Sequence, residues 1–533
     1  MQISLKGNWM SKTVDQYLNE VDYSFTGYVP SEASLKFINF MKLVNGRDGE
    51  ENKTPVVHYK LLDNIFSGKK RLAILCHRGF AKSTVCSEYL PLYCAVMGKL
   101  ENFGEISYML FIGDSLENGC RNMRRNMENR YNQSEFLQQY LPKARFTDTM
   151  IEFTNVEGKQ FAIRLAGAQQ SIRGTRYLNK RPELCIMDDI LTDEDARSAT
   201  CIGKVKDTIH KGVAKALHPT HNKIIYIGTV FNASDPLYEV IESGRWSPSV
   251  FPVCEEFPVE KKDFRGSWED RFPYEAVKEM YDDAMSLGRL SDFNGEMMNR
   301  VTSDEDRLIP DSCINWFKRS DLVHNKGSYN YYITTDFATS AKKSADYSVI
   351  TVWAYNNKGY WFLVDGICKR QEMSTNVDDL FTLAQKWGVQ SVGIEVTGQQ
   401  GGFVSWIQQE MLKRNQWFSL ASDNNSNKAG IRPVTDKLNR FYTVEPWFKQ
   451  GIMFFPEELK GEALMDELLQ ELSLVTKRGF LSKHDDVLDC VSMLSVMKPW
   501  KPSADAHVRT GTEPMWEEWE EDEGTSGLGN YVV

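Results

Sequence analysis

The sequence predicts an α/β protein with two sheets of different strand order, and three observations lead to this prediction. Between about residues 70 and 255, near-continuous apolar runs alternate with helical segments. From about residue 330, three strand-like runs follow one another before helices and strands alternate again. The 533-residue chain is also long enough for two or more domains with separate cores, at roughly 100–200 residues per domain.

The composition is that of an ordinary globular protein, with 41% hydrophobic and 26% charged residues, which excludes collagen-like, coiled-coil and wholly disordered classes. No apolar stretch approaches the ~18 residues that span a bilayer, and the N-terminus lacks the pattern of a signal peptide. Ten scattered cysteines without a C-x-x-C pair predict a reduced, intracellular protein without a zinc ribbon. The net charge of −10 does not indicate bulk nucleic-acid binding, although a local basic groove could lie within that average.

The first α/β segment contains apolar strands that would be buried on both faces, as in a parallel sheet covered by helices. These strands are RLAILC (71–76), YMLFIGDS (108–115), PELCIMDDI (182–190) and KIIYIGTV (223–230). We therefore expect an α/β domain over residues 61–255, preceded by an N-terminal adaptor over residues 1–60. Residues 256–325 lose the alternation and become charged, which indicates a linker or subdomain.

The second segment, residues 326–500, begins with three consecutive strands, of which the last two are joined by the hairpin turn Asn356-Asn357-Lys358-Gly359. Three antiparallel strands followed by alternating helices and strands is the order of an RNase H-like sheet. The predicted strands are 331–337, 348–355, 359–367, 391–395 and 452–456, with a helix over 376–387. Residues 501–533 contain seven acidic residues between Glu513 and Glu523 and predict a flexible tail. Alternatively, Trp516 and Trp519 could anchor this acidic segment in a basic partner.

The first candidate site is the loop that follows strand 71–76. A nucleotide-binding loop needs backbone N–H groups around the phosphates, a lysine on the phosphate oxygens and a hydroxyl for Mg²⁺. Lys82 and Ser83 are placed for the last two roles, although Cys76 and Ala81 stand where such loops carry glycine. The alternative is a plain turn with a solvent-facing lysine. The candidate loop residues are His77, Arg78, Gly79, Phe80, Ala81, Lys82, Ser83 and Thr84.

Two adjacent carboxylates, Asp188 and Asp189, end a later apolar strand. Because ligands bind at the carboxyl ends of strands in such sheets, Asp188 would hold Mg²⁺ and Asp189 would polarise the attacking water. The alternative is a helix-capping aspartate beside a solvated acid. The candidate loop and the two acids follow one another in this order within one parallel sheet, which favours an NTPase.

Three arginines are candidates for contact with the γ-phosphate, where an arginine stabilises transition-state charge. Arg78 lies within the loop, and Arg173 and Arg176 precede the acidic strand. Each could instead be a surface ion-pair residue. Gly228-Thr229 ends another strand, at the position where helicase-like motors sense the γ-phosphate.

The second candidate site consists of carboxylates at strand ends and on a late helix. Asp336 closes the first strand of the second sheet and Glu395 the fourth, and these strands are neighbours in an RNase H-like sheet. Asp485, Asp486 and Asp489 open a late helix that can close the site, and Asp346 is an accessory candidate. Converging carboxylates imply two Mg²⁺ or Mn²⁺ ions, which stabilise the attacking and leaving oxygens of a phosphodiester. Alternatively, each acid is an ordinary capping or strand-edge residue.

The order of these two sites, together with the motifs CHRGFAKS, IRGTR, CIMDD, YIGT, TTDF, GIEVTG and HDDVLD, resembles the large terminase subunit of tailed bacteriophages over roughly residues 50–500. The resemblance implies a P-loop ATPase domain of the additional-strand, catalytic-acid (ASCE) type followed by an RNase H-like nuclease domain. It implies that Lys82, Ser83 and Asp188 bind ATP and Mg²⁺, with Asp189 as the activating acid in place of the more usual glutamate. It further implies that Asp336, Glu395 and either Asp485 or Asp486 hold the nuclease metals.

The same resemblance implies that the protein packages viral DNA by ATP hydrolysis in the host cytoplasm and cuts the concatemer with its nuclease. The implied partners are double-stranded DNA, the capsid portal protein and a small terminase subunit, with a homo-oligomeric ring on the portal. Two other classes remain open from the residues themselves. One is a helicase–nuclease of repair or restriction, which usually carries a second nucleotide-binding lobe. The other is a non-catalytic DNA-binding or scaffold protein.

Overall fold

The structure, a computed structural model, describes residues 12–46, 52–170, 172, 174–196, 198–230, 234–302, 307–338, 347–396, 401–422, 428–432, 435–477, 479–482 and 484–502. Arg173, Asp346 and the acidic tail from residue 503 lie outside these described residues. The chain divides into two compact units, Met1–Asp306 and Arg307–Val533. None of the described helices is long and apolar enough to cross a membrane.

The first unit contains an eight-stranded sheet in the order β10-β1-β9-β8-β4-β7-β6-β5. The strands from β10 to β7 in this order are parallel, and β6 and β5 extend the sheet as antiparallel strands. The strands of this unit are β1 Arg71–Cys76, β2 Lys99–Leu100, β3 Gly104–Glu105, β4 Tyr108–Gly113, β5 Lys143–Phe146, β6 Met150–Thr154, β7 Gln160–Gly167, β8 Leu184–Asp188, β9 Lys223–Gly228 and β10 Ser247–Phe251. The short strands β2 and β3 form a separate hairpin.

Helices cover both faces of this sheet, as the apolar strands predicted. Leu72 and Ile74 pack into one apolar core with α2 to α5, whereas Ala73 and Leu75 pack into another with α1, α8 and α10. The helices of this unit are α1 Val14–Asn19, α2 Glu32–Asn45, α3 Val56–Ile65, α4 Leu90–Met97, α5 Arg121–Gln133, α6 Glu135–Tyr140, α7 Asp193–Ala196, α8 Ala199–Asp207, α9 Ala214–Ala216, α10 Pro236–Glu242, α11 Tyr274–Ser286 and α12 Leu290–Glu296. The segments Thr84–Tyr89, Leu116–Cys120 and Thr208–Val213 are π-helical.

The strand order confirms the predicted fold class of the first unit. β9 lies between β1, which precedes the candidate loop, and β8, which ends in Asp188. One strand between the loop strand and the acidic strand is the arrangement that defines the ASCE type. The carboxyl ends of the three parallel strands therefore meet at one edge of the sheet.

The second unit contains a seven-stranded sheet in the order β11-β17-β14-β13-β12-β15-β16. β12, β13 and β14 are antiparallel neighbours, and β15 and β16 add in parallel on the other side of β12, which confirms the RNase H-like order. The strands of this unit are β11 Asn315–Phe317, β12 Tyr329–Asp336, β13 Ser348–Asn356, β14 Trp361–Lys369, β15 Ser391–Ile394, β16 Ser419–Leu420, β17 Met453–Pro456, β18 Val475–Thr476 and β19 Gly479–Phe480. Gly359 has φ +90° in the predicted hairpin turn.

The second sheet is covered by helices whose apolar faces the sequence only partly predicted. Helices α14 and α15 share an apolar core with β12 and β13, and the opposite face receives α18, where Thr334 Oγ1 donates a hydrogen bond to the Cys490 carbonyl at 2.8 Å. The helices of this unit are α13 Arg319–His324, α14 Met373–Trp387, α15 Gly401–Arg414, α16 Lys437–Lys449, α17 Ala463–Leu474 and α18 Asp486–Met493. The predicted apolar face of α18 (Val487, Leu488, Val491 and Leu494) is fully buried.

Candidate functional site

The loop between β1 and the π-helical segment Thr84–Tyr89 has the curled backbone that a phosphate-binding loop requires. Gly79 has φ +82° and Ala81 has φ +62°, so two of its residues are in the left-handed region. An L residue pays about 1–2 kcal/mol for that conformation. Ala81, at a position where the motif carries glycine, therefore adopts the backbone that glycine would favour.

Two residues predicted to bind nucleotide direct their side chains into the core of the first unit. His77 is fully buried; its Nδ1 donates to the Arg78 carbonyl at 2.8 Å, and its Nε2 accepts from Ser267 Oγ at 3.1 Å. Phe80 is also buried, and its ring stacks on Phe251. These two side chains hold the loop in place, and neither they nor the Thr84 side chain line the cavity described below.

Lys82 meets the ends of two other strands at the centre of this site. Its Nζ lies 3.0 Å from Asp189 Oδ2 and 3.0 Å from Thr229 Oγ1. The Thr229 backbone N–H donates to Asp189 Oδ1 at 3.1 Å, which ties the end of β9 to the acid that follows β8. Burial disfavours the charge of Lys82, but Asp189 and Asp188 outweigh it and raise the pKa of Lys82.

Asp188 has the properties of a residue that holds a cation. Its Oδ2 accepts a hydrogen bond from Ser87 Oγ at 2.7 Å, whereas its buried Oδ1 has no hydrogen-bond partner among the described residues. Burial, assisted by the charge of Asp189, raises the pKa of Asp188 to about 6. A buried carboxylate oxygen without a donor fits Mg²⁺, which prefers oxygen ligands, and Ser83 lines the same space.

A cavity of about 640 Å³ opens over these residues. Arg78 lies at its rim, with Nη1 2.9 Å from both carboxylate oxygens of Glu296, so the structure pairs this candidate arginine with an acid of α12. Arg176 is exposed and does not line the cavity. Asp114 follows the last residue of β4, lines the cavity and accepts from the Gly119 N–H at 2.8 Å. Sequence reasoning missed Asp114, although its position directly after an apolar strand is the same signal that marks Asp188.

In the second unit, the structure brings three carboxylates together. Asp336 ends β12, Glu395 follows β15, and Asp489 lies in α18. One oxygen from each lies within 4.8 Å of the others, a spacing that fits a shared metal ion. Burial, followed by the charges of Glu395, Asp486 and Asp489, raises the pKa of Asp336 well above its usual value.

The other two acids of the late helix lie outside this triad. Asp485 immediately precedes α18 and forms an ion pair with Lys437 at 2.5 Å, without capping the helix through its side chain. Asp486 accepts a hydrogen bond from the Tyr347 backbone N–H at 3.0 Å. From spacing alone, none of the three aspartates of this helix could be preferred as a metal ligand. The resemblance implied that Asp485 or Asp486 is the ligand.

Two basic residues of α16 and one acid of α17 complete the surroundings of the triad, and sequence reasoning missed all three. Lys437 and Arg440 form ion pairs with its carboxylates. Glu471 is fully buried and accepts hydrogen bonds from the backbone N–H groups of Val487 and Leu488 at 3.2 and 2.7 Å. It thereby caps the helix that carries Asp489.

No protein-family model matches the chain, and no curated protein matches it. Similar solved structures include a large terminase from a thermophilic bacteriophage in complex with ADP (10% identity, 88% of this chain and 98% of that chain, TM-score 0.29). The HK97 bacteriophage large terminase is 12% identical over 91% of this chain and 99% of that chain, with a TM-score of 0.30. The Thermus phage P74-26 large terminase ATPase domain is 11% identical over 51% of this chain and 98% of that chain, with a TM-score of 0.34. At these identities and TM-scores, we base the functional proposal on the strand orders and site residues of this chain.

Proposed function

We propose that this protein is an ATP-driven DNA-packaging motor that also cleaves DNA, of the kind represented by the large terminase subunit. The observation that carries the proposal is the presence of two different sites in one chain. An ASCE-type sheet gathers Lys82, Asp188 and Asp189, and an RNase H-like sheet gathers Asp336, Glu395 and Asp489.

In the ATPase site, the positions of the side chains support distinct roles. Lys82 would move from Asp189 and Thr229 onto the β- and γ-phosphates of ATP, because phosphate oxygens offer it a stronger pairing. Asp189 would then be free to orient and deprotonate the attacking water. Asp188 and Ser83 would hold the Mg²⁺ that accompanies ATP. Thr229 forms hydrogen bonds with both Lys82 and Asp189. It would therefore transmit the movement of Lys82 to β9.

In the nuclease site, Asp336, Glu395 and Asp489 would hold Mg²⁺ or Mn²⁺. When bound, the metal activates a water and stabilises the charge that develops on the phosphodiester oxygens. The three carboxylates place this chemistry at the junction of β12, β15 and α18, where β12 and β15 form the base of the site. The buried cap Glu471 keeps the start of α18 fixed beneath them.

The packaging role is supported by the order of the two units. A helicase–nuclease would usually carry a second nucleotide-binding lobe, whereas the sheet of the second unit has the RNase H-like order. We accordingly propose that the chain translocates double-stranded DNA into a procapsid and cuts concatemers. The proposal extends to a portal protein and a small terminase subunit as partners, a homo-oligomeric ring on the portal, and action in the host cytoplasm.

A paired assay on the full-length chain tests the proposal. Wild type, Lys82→Ala and Asp336→Ala are each scored for ATP hydrolysis and for plasmid cleavage with Mg²⁺ or Mn²⁺. We expect Lys82→Ala to lose only hydrolysis and Asp336→Ala to lose only cleavage. A wild-type protein that hydrolyses ATP but never cuts DNA under either metal would remove the nuclease half of the proposal. Stimulation of hydrolysis by a portal or small subunit would separate packaging from a helicase–nuclease.

A further inference from the structure

Helix α16 places two positive charges directly against the carboxylate triad. Lys437 Nζ lies 2.9 Å from Asp489 Oδ2 and 2.5 Å from Asp485 Oδ1. Arg440 Nη2 lies 3.0 Å from Asp489 Oδ1, and its Nη1 lies 3.2 Å from Glu395 Oε2. Because residues three apart share a helical face, one face of α16 supplies both cations.

The contacts of Arg440 are shielded from water, whereas the Lys437 side chain is 46% exposed. The side chain of Asp489 is 3% exposed and that of Arg440 is 15% exposed. Ion pairs in such surroundings are screened much less than surface pairs, and removing one partner would leave the other charge buried. Arg440 therefore belongs to the construction of the site and is not an incidental surface contact.

Each basic side chain is held by two carboxylates. The Arg440 guanidinium, which does not lose its proton in proteins, is paired with Asp489 and Glu395. The Lys437 ammonium is paired with Asp489 and Asp485. The two side chains therefore place cations beside the triad.

Fewer carboxylate oxygens are available to bind a metal than the three residues of the triad would suggest. Both oxygens of Asp489 are engaged by Lys437 and Arg440, and one oxygen of Glu395 is engaged by Arg440. Asp336 forms no hydrogen bond or ion pair through its side chain with any described residue. The oxygens that remain available are thus those of Asp336 and the second oxygen of Glu395.

We infer that Lys437 and Arg440 take the place of one of the two cations expected from the carboxylates, so that the site binds a single divalent ion between Asp336 and Glu395. This inference rests on the proposed nuclease function and changes both its metal stoichiometry and the role of Asp489, which would hold the two basic side chains while the metal lies between Asp336 and Glu395. An ammonium and a guanidinium beside the metal would also be able to pair with phosphate oxygens of the substrate.

The test counts Mn²⁺ ions bound to the full-length, nucleotide-free chain by equilibrium dialysis and isothermal titration. The number of ions bound at this site is the number bound by wild type minus the number bound by the Asp336→Asn variant. This subtraction removes any ions bound at the ATPase site. We expect a difference of one ion for wild type. Lys437→Gln should bind the ion at least about tenfold more tightly or accept a second ion, because a positive charge beside the site has been removed.

Two further variants serve as controls. Lys437→Arg keeps the charge and should retain one ion at the wild-type affinity. Lys449→Gln, at the exposed end of the same helix and paired with Glu445, should also leave the count unchanged. A far-UV circular dichroism spectrum and a urea unfolding transition like those of wild type in every Lys437 variant would show that the second unit is folded.

Three results would overturn the inference. Wild type that binds two ions at this site would show that the basic side chains replace neither. Lys437→Gln with unchanged count and affinity would remove the role of Lys437. Wild type and Asp336→Asn that bind equally would show that no ion binds here, which ends the proposed metal-dependent nuclease together with this inference, whereas the first two results leave that nuclease standing.

Discussion

Two buried histidines make the stability of the first unit depend on pH. His77 Nδ1 donates to the Arg78 carbonyl, and His58 Nε2 donates to the Phe80 carbonyl at 2.8 Å, so both imidazoles hold the loop that follows β1 from the core side. Burial lowers the pKa of His58 to about 4 and that of His77 to about 3. Both rings are therefore neutral in the folded protein at pH 5.

The direction of the pH dependence follows from the lowered pKa values of the two histidines. An unfolded histidine takes up a proton below about pH 6.5, whereas these two folded histidines do not until about pH 4 and 3. The contribution of the two neutral histidines to the unfolding free energy is thus complete above pH 6.5. It is lost as the pH falls toward their pKa values in the folded protein. Between pH 7.5 and pH 5 we expect a loss of about 2 kcal/mol of unfolding free energy for each histidine.

The measurement is the unfolding free energy of the first unit at pH 7.5 and at pH 5, from amide hydrogen exchange of β1. His77→Gln, whose amide can still donate and accept, should reduce the pH-dependent loss by about 2 kcal/mol. The matched control is His210→Gln, on the surface of the same unit with a side chain that is 52% exposed. An identical pH dependence in wild type and His77→Gln would refute the reasoning, since it would mean that the buried imidazole takes up its proton without penalty.

Three further predictions concern single residues of the two sites. Ala81→Gly should stabilise the first unit by about 0.5–1 kcal/mol, because relief of the left-handed backbone exceeds the added entropy of the unfolded chain; a lower thermal midpoint would contradict this. Asp489→Asn should reduce plasmid cleavage by at least about 100-fold, whereas Asp485→Asn should change it less than about tenfold; the reverse order would place Asp485 in the metal site. Glu471→Ala should lower the unfolding free energy of the second unit by about 2–4 kcal/mol, because two buried amides of α18 lose their acceptor. Glu471→Gln keeps one acceptor oxygen and should cost about half as much by urea unfolding, and equal losses for the two variants would argue against the cap.

Much of the fold could be predicted because its strands carry a local signal. The apolar runs at 71–76 and 223–230 begin where β1 and β9 begin, since strands buried on both faces need consecutive apolar residues. Strand β7, its antiparallel extension β6 and β5, and the edge strand β10 were missed. The segments of β5 and β10 mix polar and apolar residues, as in KARF and SPSVF, because these two strands form the edges of the sheet and are less completely buried than its central strands.

Candidate residues at strand ends could be predicted for the same reason. Lys82, Asp188, Asp336 and Glu395 each follow or end an apolar run, and parallel topology brings such ends to one edge. Within the loop, however, local spacing could not separate a residue whose backbone faces a ligand from one whose side chain faces the core. His77 and Phe80 are of the second kind because their partners, Ser267 and Phe251, lie far along the chain.

The sequence by itself determined the two kinds of sheet, the loop that could bind phosphate and the strand-end acids, because each depends on short-range patterns of side chains. Only the tertiary structure decided that Asp489 joins Asp336 and Glu395, that Glu471 caps α18 and that Lys437 and Arg440 lie against the triad. Arg440 and Asp489 are separated by 49 positions and meet because α16 packs beside α18. No local periodicity records such a contact, since the free energy that maintains it comes from burial and charge pairing between elements that are neighbours only in the folded chain.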